Sequence, residues 1–332
     1  MVIAPDWSRW PCRIPLTVTS AAELPDWPVS AAVNPTSLLK GRALDIRSVR
    51  VATVNARGEP AEAMVCQWEA TGNGKRDVWW VMPGTTKANA KRRFLLLFAP
   101  SGHGHFRAPR RGWWNAETRQ VTTLAYEVLF DDGAIRGLTL RHPGAPKGSV
   151  LDCLITSSGD TGWREQDGEV TRMEVPHAGP VRCVVEVEKN LLKDYRYTKR
   201  YEFFAGHFIV TTQINKHLCY TRAFYRVEGD CLDDKGHRTR VDGKGKGEGV
   251  AGKNPNPQWY QFTGDGWAHS CAAITRFSNI SYWDGNGQIG FTGAKSLPCK
   301  VGYRLHPAPP SQTFVAAAAK LFKATINVTV GK

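Results

Sequence analysis

The chain has 332 residues, 42% hydrophobic and 22% charged, a balance that supports packed cores and excludes disorder as the main state. Its 44 Lys and Arg against 30 Asp and Glu give a net charge of +14, which serves solubility or draws nucleic acid, an acidic polysaccharide or an anionic membrane surface. No run approaches the roughly 20 apolar residues that span a bilayer, and Met1–Asp6 shows no basic or apolar region of a secretion signal.

The 32 Gly and 20 Pro break the chain into short segments. Ile14, Leu16 and Val18 alternate as in a half-buried strand. Residues 48–54 form another, followed by the turn Asn55-Ala56-Arg57-Gly58. Residues 63–68, 77–82 and 91–98 continue the series with no helical period between them. Short strands so spaced predict a sandwich or barrel of about 100 residues. The Pro-, Gly- and Arg-rich stretch from Ala99 to Gly112 reads as a linker. Beyond it, residues 122–130 and 134–140 read as strands around the turn Asp131-Asp132-Gly133. Strands follow at 181–187, 195–204, 208–214, 223–227, 272–277 and 288–291; only 311–321 has a composition suited to a helix. The Gly- and Lys-rich residues 242–257 read as a surface loop.

Eight Cys, at 12, 66, 153, 183, 219, 231, 271 and 299, lack the CxxC spacing of a zinc ribbon or thioredoxin-like site and read mostly as buried thiols. Gly247–Asn254 nearly spells a phosphate-binding loop, but Asn254 stands where Ser or Thr would hold magnesium. His103 with His105 lacks a third metal ligand, and Asp284–Gln288 opens like a calcium loop but meets Lys295 where the closing Glu belongs. No nucleophile elbow or dinucleotide fingerprint occurs. No cofactor and no metal are therefore expected.

In the second half, the strand pair around Asp131-Asp132-Gly133, the hairpin 195–214 hinged at Ala205-Gly206-His207, and Gly266-Trp267-Ala268-His269 before a small-residue strand share one pattern. It resembles the galactose-mutarotase-like supersandwich of many polysaccharide lyases. The first 100 residues resemble the small β domain that precedes it in the exo-acting rhamnogalacturonan lyase group. The resemblance implies an all-β protein. A small β-barrel or sandwich over residues 1–105 would precede a large antiparallel β-supersandwich over residues 115–332. It further implies an extracellular or periplasmic polysaccharide lyase, with a cytoplasmic protein as the alternative.

Lyase chemistry on a uronate needs a cation to neutralise the carboxylate, a base for the α proton and an acid for the leaving oxygen. On an extended strand Tyr195, Tyr197, Lys199 and Tyr201 share one face, and Arg196, Arg200 and Glu202 the other. The expected proton carriers are Tyr197, His217, Tyr225 and His269. The expected substrate contacts are Arg196, Lys199 and Arg222, with Trp259 and Trp267 as stacking platforms and Trp113 and Trp114 as a weaker pair. Each of these also suits a packed aromatic ladder.

Three rivals stay open. A glycoside hydrolase on the same fold needs two carboxylates about 5–10 Å apart, with Glu202, Asp230 and Asp265 the residues to test. A non-catalytic glycan-binding protein would use the Trp faces and positive charge. Nucleic-acid binding is disfavoured because the basic residues are dispersed. The expected partner is an acidic polysaccharide or oligosaccharide, with neither nucleic acid nor membrane.

Overall fold

The computed structural model describes residues 6–71, 76–103, 112–157, 164–191, 195–215, 220–241, 254–283 and 287–331. The strands run β1 (Cys12–Ser20), β2 (Pro28–Val33), β3 (Arg50–Val54), β4 (Pro60–Met64), β5 (Cys66–Ala70), β6 (Arg76–Val81) and β7 (Arg92–Phe98). Next come β8 (Trp114–Asn115), β9 (Gln120–Thr122), β10 (Tyr126–Asp131), β11 (Ala134–Leu140), β12 (Ser149–Ser157), β13 (Glu169–Ala178), β14 (Cys183–Leu191), β15 (Tyr195–Phe203) and β16 (His207–Ile214). The series ends with β17 (Tyr220–Tyr225), β18 (Gly229–Asp233), β19 (Arg238–Val241), β20 (Trp259–Gly264), β21 (Trp267–Ala273), β22 (Phe277–Trp283), β23 (Gln288–Ala294), β24 (Cys299–His306) and β25 (Ile326–Val330). Among the described residues two α-helices occur, α1 (Thr36–Leu39) and α2 (Gln312–Leu321). The fold is all-β, with antiparallel pairing throughout the described ladders. No helix among the described residues is long and apolar enough to cross a membrane.

The chain packs into two units. One takes Met1–Gly112, Gly179–Arg182 and Ala324–Lys332; the other takes Trp113–Ala178 and Cys183–Lys323. Two pieces of the segment that the sequence reading assigned wholly to the second domain thus belong with the first.

The first unit has a five-stranded sheet ordered β25-β1-β7-β3-β4 and a three-stranded sheet ordered β2-β6-β5. In β1 the inward Ile14, Leu16 and Val18 are buried, as their alternation predicts. β7 lies between β1 and β3, and its residues Phe94–Phe98 are all buried. The 63–68 strand is two: β4 pairs with β3, β5 with β6, and exposed Val65 marks the corner between sheets. Residues 179–182 are anchored by side chains. Gln67 Oε1 accepts from the backbone N–H groups of Val181 (3.1 Å) and Arg182 (2.8 Å), and Arg182 Nη2 donates to Glu69 Oε2 at 2.5 Å. The same guanidinium lies 4.1 Å over the Trp79 ring.

The second unit is a sandwich of an eight-stranded sheet, β22-β23-β17-β12-β11-β10-β9-β8, and a nine-stranded sheet, β13-β14-β15-β16-β24-β21-β20-β18-β19. Its core is aromatic. Phe130 of β10 meets Tyr201 of β15 edge-on at 5.1 Å, and Tyr126 meets Phe208 of β16 at 5.8 Å. Each fully buried side chain of this size contributes about 1.5–3 kcal/mol. The expected 122–130 strand is interrupted because Thr123 Oγ1 accepts from the N–H groups of Ala125 (3.3 Å) and Tyr126 (3.1 Å), closing a local turn. The expected helix near the C-terminus forms as α2. Ser311 Oγ caps it by accepting from Phe314 N at 3.3 Å, and Val315 and Ala319 pack on Trp259 and Ala272.

Candidate functional site

The hairpin strand β15 alternates as its sequence implies, but the second sheet covers its inner face, so the face expected to carry Tyr197 and Lys199 to a substrate is core. Tyr197 and Lys199 are each 1% exposed. Lys199 Nζ pairs with Glu165 Oε2 at 2.7 Å; the same carboxylate accepts from Thr156 N at 2.7 Å and from the Tyr201 hydroxyl at 3.4 Å. Glu165 is fully buried and was not singled out in the sequence, where it sits in an unpatterned stretch. Burial pushes the Tyr197 hydroxyl far above the ordinary phenol range. Arg196 lies on the outer, exposed face, its backbone N–H bonded to Asn215 Oδ1 at 3.1 Å.

Two of the expected proton carriers do meet. The Tyr225 hydroxyl and His269 Nδ1 are 2.9 Å apart, inside the aromatic core. Tyr225 stacks on Phe262 at 3.8 Å, and His269 stacks on Tyr303 at 5.5 Å. Burial, with a smaller contribution from His306, lowers His269 to about 3, so the imidazole is neutral at pH 7. Trp267 and His269 belong to the buried strand β21 itself rather than to the segment before it. Apolar and aromatic neighbours on the strand's inner face draw both rings inward. Trp259 is also buried, against α2. Arg222 is half-buried, and desolvation lowers its pKa. The Gln288 amide oxygen, in the orientation that satisfies both groups, accepts from its Nη1 and Nε at 2.9 and 3.1 Å. His217, His105, residues 247–253 and residues 284–286 lie outside the described residues.

The carboxylates named for hydrolysis are dispersed. Glu202 pairs with Arg200 at 3.5 Å and Asp230 with Arg240 at 3.4 Å; Asp265 sits exposed in the β20–β21 turn. A tighter acidic group gathers at Asp233. Its Oδ2 meets His237 Nδ1 at 2.8 Å and Asn254 Nδ2 at 3.0 Å, and Asn254 Nδ2 also reaches Asp234 Oδ1 at 2.7 Å. Burial raises the Asp233 pKa, but hydrogen bonds from His237, Lys235 and Asn254 more than offset this and leave it lowered. The Asp233 carboxylate also accepts the backbone N–H groups of Lys235 and His237, each at 2.9 Å, and so staples the turn. Among the described residues no group of three or more His, Cys, Asp or Glu side chains is arranged to hold a metal.

Among the described residues, a groove of about 500 Å³ in the second unit offers room for a ligand. One wall comes from the eight-stranded sheet: Trp114 of its edge strand β8, Arg119 of the β8–β9 turn, and Asp132 and Gly133 of the β10–β11 turn. The other wall is β13, the edge of the nine-stranded sheet, through Val170, Met173 and Val175. Edge strands leave this stretch of core incompletely covered, so apolar side chains floor a polar-rimmed cleft. Asp132 and Gly133 both have positive φ, 48° and 68°, the geometry of a tight hairpin turn. Beneath them Lys189 of β14, with no exposed side-chain surface, reaches Asp132 Oδ2 at 3.4 Å and the Glu165 carbonyl at 3.0 Å. An indole to stack on the C–H face of a sugar, and a carboxylate and a guanidinium to hydrogen-bond its hydroxyls, stand around one cleft. The sequence signals were present, in the Asp-Gly turn and in Trp114. What the sequence lacked was the partner wall: β13 alternates weakly, being interrupted by two register shifts and Pro176.

No protein-family description and no curated protein matches the chain. Solved structures do share its fold. An alpha-mannosidase from Enterococcus faecalis V583 superposes with a TM-score of 0.59 at 12% identity, over 99% of this chain and 48% of the mannosidase. A protein in glycosyl hydrolase family 38 from Enterococcus faecalis gives 0.57 at 11% identity, over 98% of this chain and 48% of that one. The chain therefore spans about half the length of either structure. The resemblance read from the sequence narrows to its coarser part: the chain has a β-rich fold also found in glycoside hydrolase structures, with no support for the rhamnogalacturonan lyase group.

Proposed function

We propose that this chain acts on glycans as a protein of glycoside-hydrolase type, with the Trp114–Asp132 groove as a sugar-binding element. The observation that carries this is the groove itself: an aromatic and apolar floor rimmed by Asp132 and Arg119, on a fold shared with an alpha-mannosidase structure. The lyase reading loses its footing because Tyr197, Lys199, Tyr225 and His269 are all buried in the core. The test is to incubate the purified protein with a panel of mannosides and uronate-containing glycans, following reducing ends and unsaturated-uronate absorbance together. Reducing ends without absorbance support hydrolysis. A rise in absorbance refutes it in favour of β-elimination.

A second reading, glycan binding without turnover, is favoured by one feature. Asp132 is the sole carboxylate lining the groove among the described residues, whereas most glycoside hydrolysis uses a pair. Saturable, Trp114-dependent binding with no product would support it.

A further inference from the structure

We propose that the groove takes an anionic sugar, carboxylated or sulfated, and that Arg119 is the residue that holds its charge. The inference rests on the glycan reading of this groove and adds the class of sugar.

Charge pairing within the unit carries the argument. Asp132, the groove's carboxylate, is answered from below by Lys189 at 3.4 Å. Glu165, behind it, is answered by Lys199 at 2.7 Å. Two anions and two cations close on one another, and three of the four side chains are withdrawn from solvent. Arg119 stands outside this balance. It lines the same groove, its side chain is exposed, and it has no ion pair among the described residues. The groove therefore presents one uncompensated positive charge beside an indole. A guanidinium matches a carboxylate or sulfate through two parallel N–H donors, which a neutral hydroxyl cannot answer equally.

The backbone gives a second, independent observation. Arg119 has φ 50°, the left-handed region, at the end of the β8–β9 turn. Glycine adopts that conformation most cheaply, and a long side chain there is strained. The strain is held in place from both sides: Asn115 Oδ1 accepts from Glu117 N at 3.0 Å and Thr118 N at 3.3 Å, and Phe130 N donates to the Arg119 carbonyl at 3.0 Å. A strained arginine on a pinned turn that lines a groove points to a role at that groove rather than in the fold. The net charge of +14 acts at longer range, raising the local concentration of acidic glycans.

The experiment is calorimetric titration of the full chain with one oligosaccharide in three forms: as a uronate, with the carboxyl reduced to the alcohol, and with that alcohol sulfated. Wild type, Arg119→Gly and Arg119→Lys are compared. The wild type is expected to bind at least one anionic form about tenfold or more tightly than the neutral one, with the gap narrowing as salt rises. Arg119→Gly is expected to abolish the gap while the melting temperature holds or rises, because glycine relieves the strain. Arg119→Lys is expected to retain only part of it. A gain for the uronate alone identifies a carboxylate site; equal gains identify a general anion site. Equal affinity for acidic and neutral forms overturns the proposal and leaves the glycan reading intact, as does a preference that survives Arg119→Gly. Failure of every form to bind overturns both.

Discussion

Replacing Lys199 with Met tests whether the buried charges hold the second unit together. The substitution conserves length and apolar stem but removes the ammonium that sits 2.7 Å from Glu165 Oε2. Among the described residues the carboxylate keeps Thr156 N at 2.7 Å and the Tyr201 hydroxyl at 3.4 Å, with no solvent access. Breaking a buried pair on one side costs about 3–5 kcal/mol. For a unit of this size each kcal/mol moves the midpoint by roughly 2–4 °C, so a drop of roughly 6–20 °C is expected by differential scanning calorimetry. The double variant Glu165→Gln/Lys199→Met removes the stranded charge as well and is expected to recover part of the loss. A single variant that melts at or above the wild-type temperature would refute the reasoning, since the pair would then be dispensable packing.

Acid is expected to weaken the same unit before the carboxylates titrate. Burial lowers His207 and His269 to about 3 and His306 to about 4, against an ordinary value of 6.5. The unfolded chain therefore binds protons that the folded one refuses: the contribution is complete above pH 6.5 and is lost as pH falls toward 3, at up to about 1.4 kcal/mol per pH unit for each ring. Urea midpoints at pH 7 and 5 check this, and identical values would sink it. Gly133→Ala is expected to destabilise by about 1–3 kcal/mol, because φ is 68° and a Cβ there would lie 2.7 Å from Val187 Cγ1; glycan affinity should fall with it, the groove wall being displaced. Ser311→Ala removes the cap of α2 and is expected to cost about 1 kcal/mol in chemical denaturation. Trp114→Ala is expected to weaken glycan binding about tenfold or more, measured by titration; an unchanged affinity would remove the groove from consideration.

Much of the fold was legible because period-2 alternation is local. Ile14, Leu16 and Val18, the β15–β16 hairpin and the capped Ala-rich α2 each announce themselves within about twenty residues. What the sequence conceals is which face of a strand a second sheet covers. Tyr197, Tyr225 and His269 carry polar tips, and on one strand such residues look like chemistry. Only the opposing sheet turns them into buried partners. Edge strands were the other blind spot. β13 has register shifts at Val170/Arg172 and Glu174/His177 and exposes every charged position, so its pattern is faint, yet it supplies one wall of the groove. Glu165 escaped notice for a related reason: nothing near it in sequence hints that two lysines from distant strands converge on it.

The pairing of Ser20 with Ile326 has a bearing on how the chain is made. A ribosome delivers β25 roughly 15–60 s after its neighbour β1, at ordinary elongation rates of about 5–20 residues per second. Through that interval one side of β1 is a bare template of N–H and C=O groups, open to strands from other nascent chains. The whole second unit, by contrast, is synthesised inside the wait and can fold first. The order of birth and the order of completion are thus reversed: β1 is made well before the second unit, yet its free side is closed only when β25 arrives.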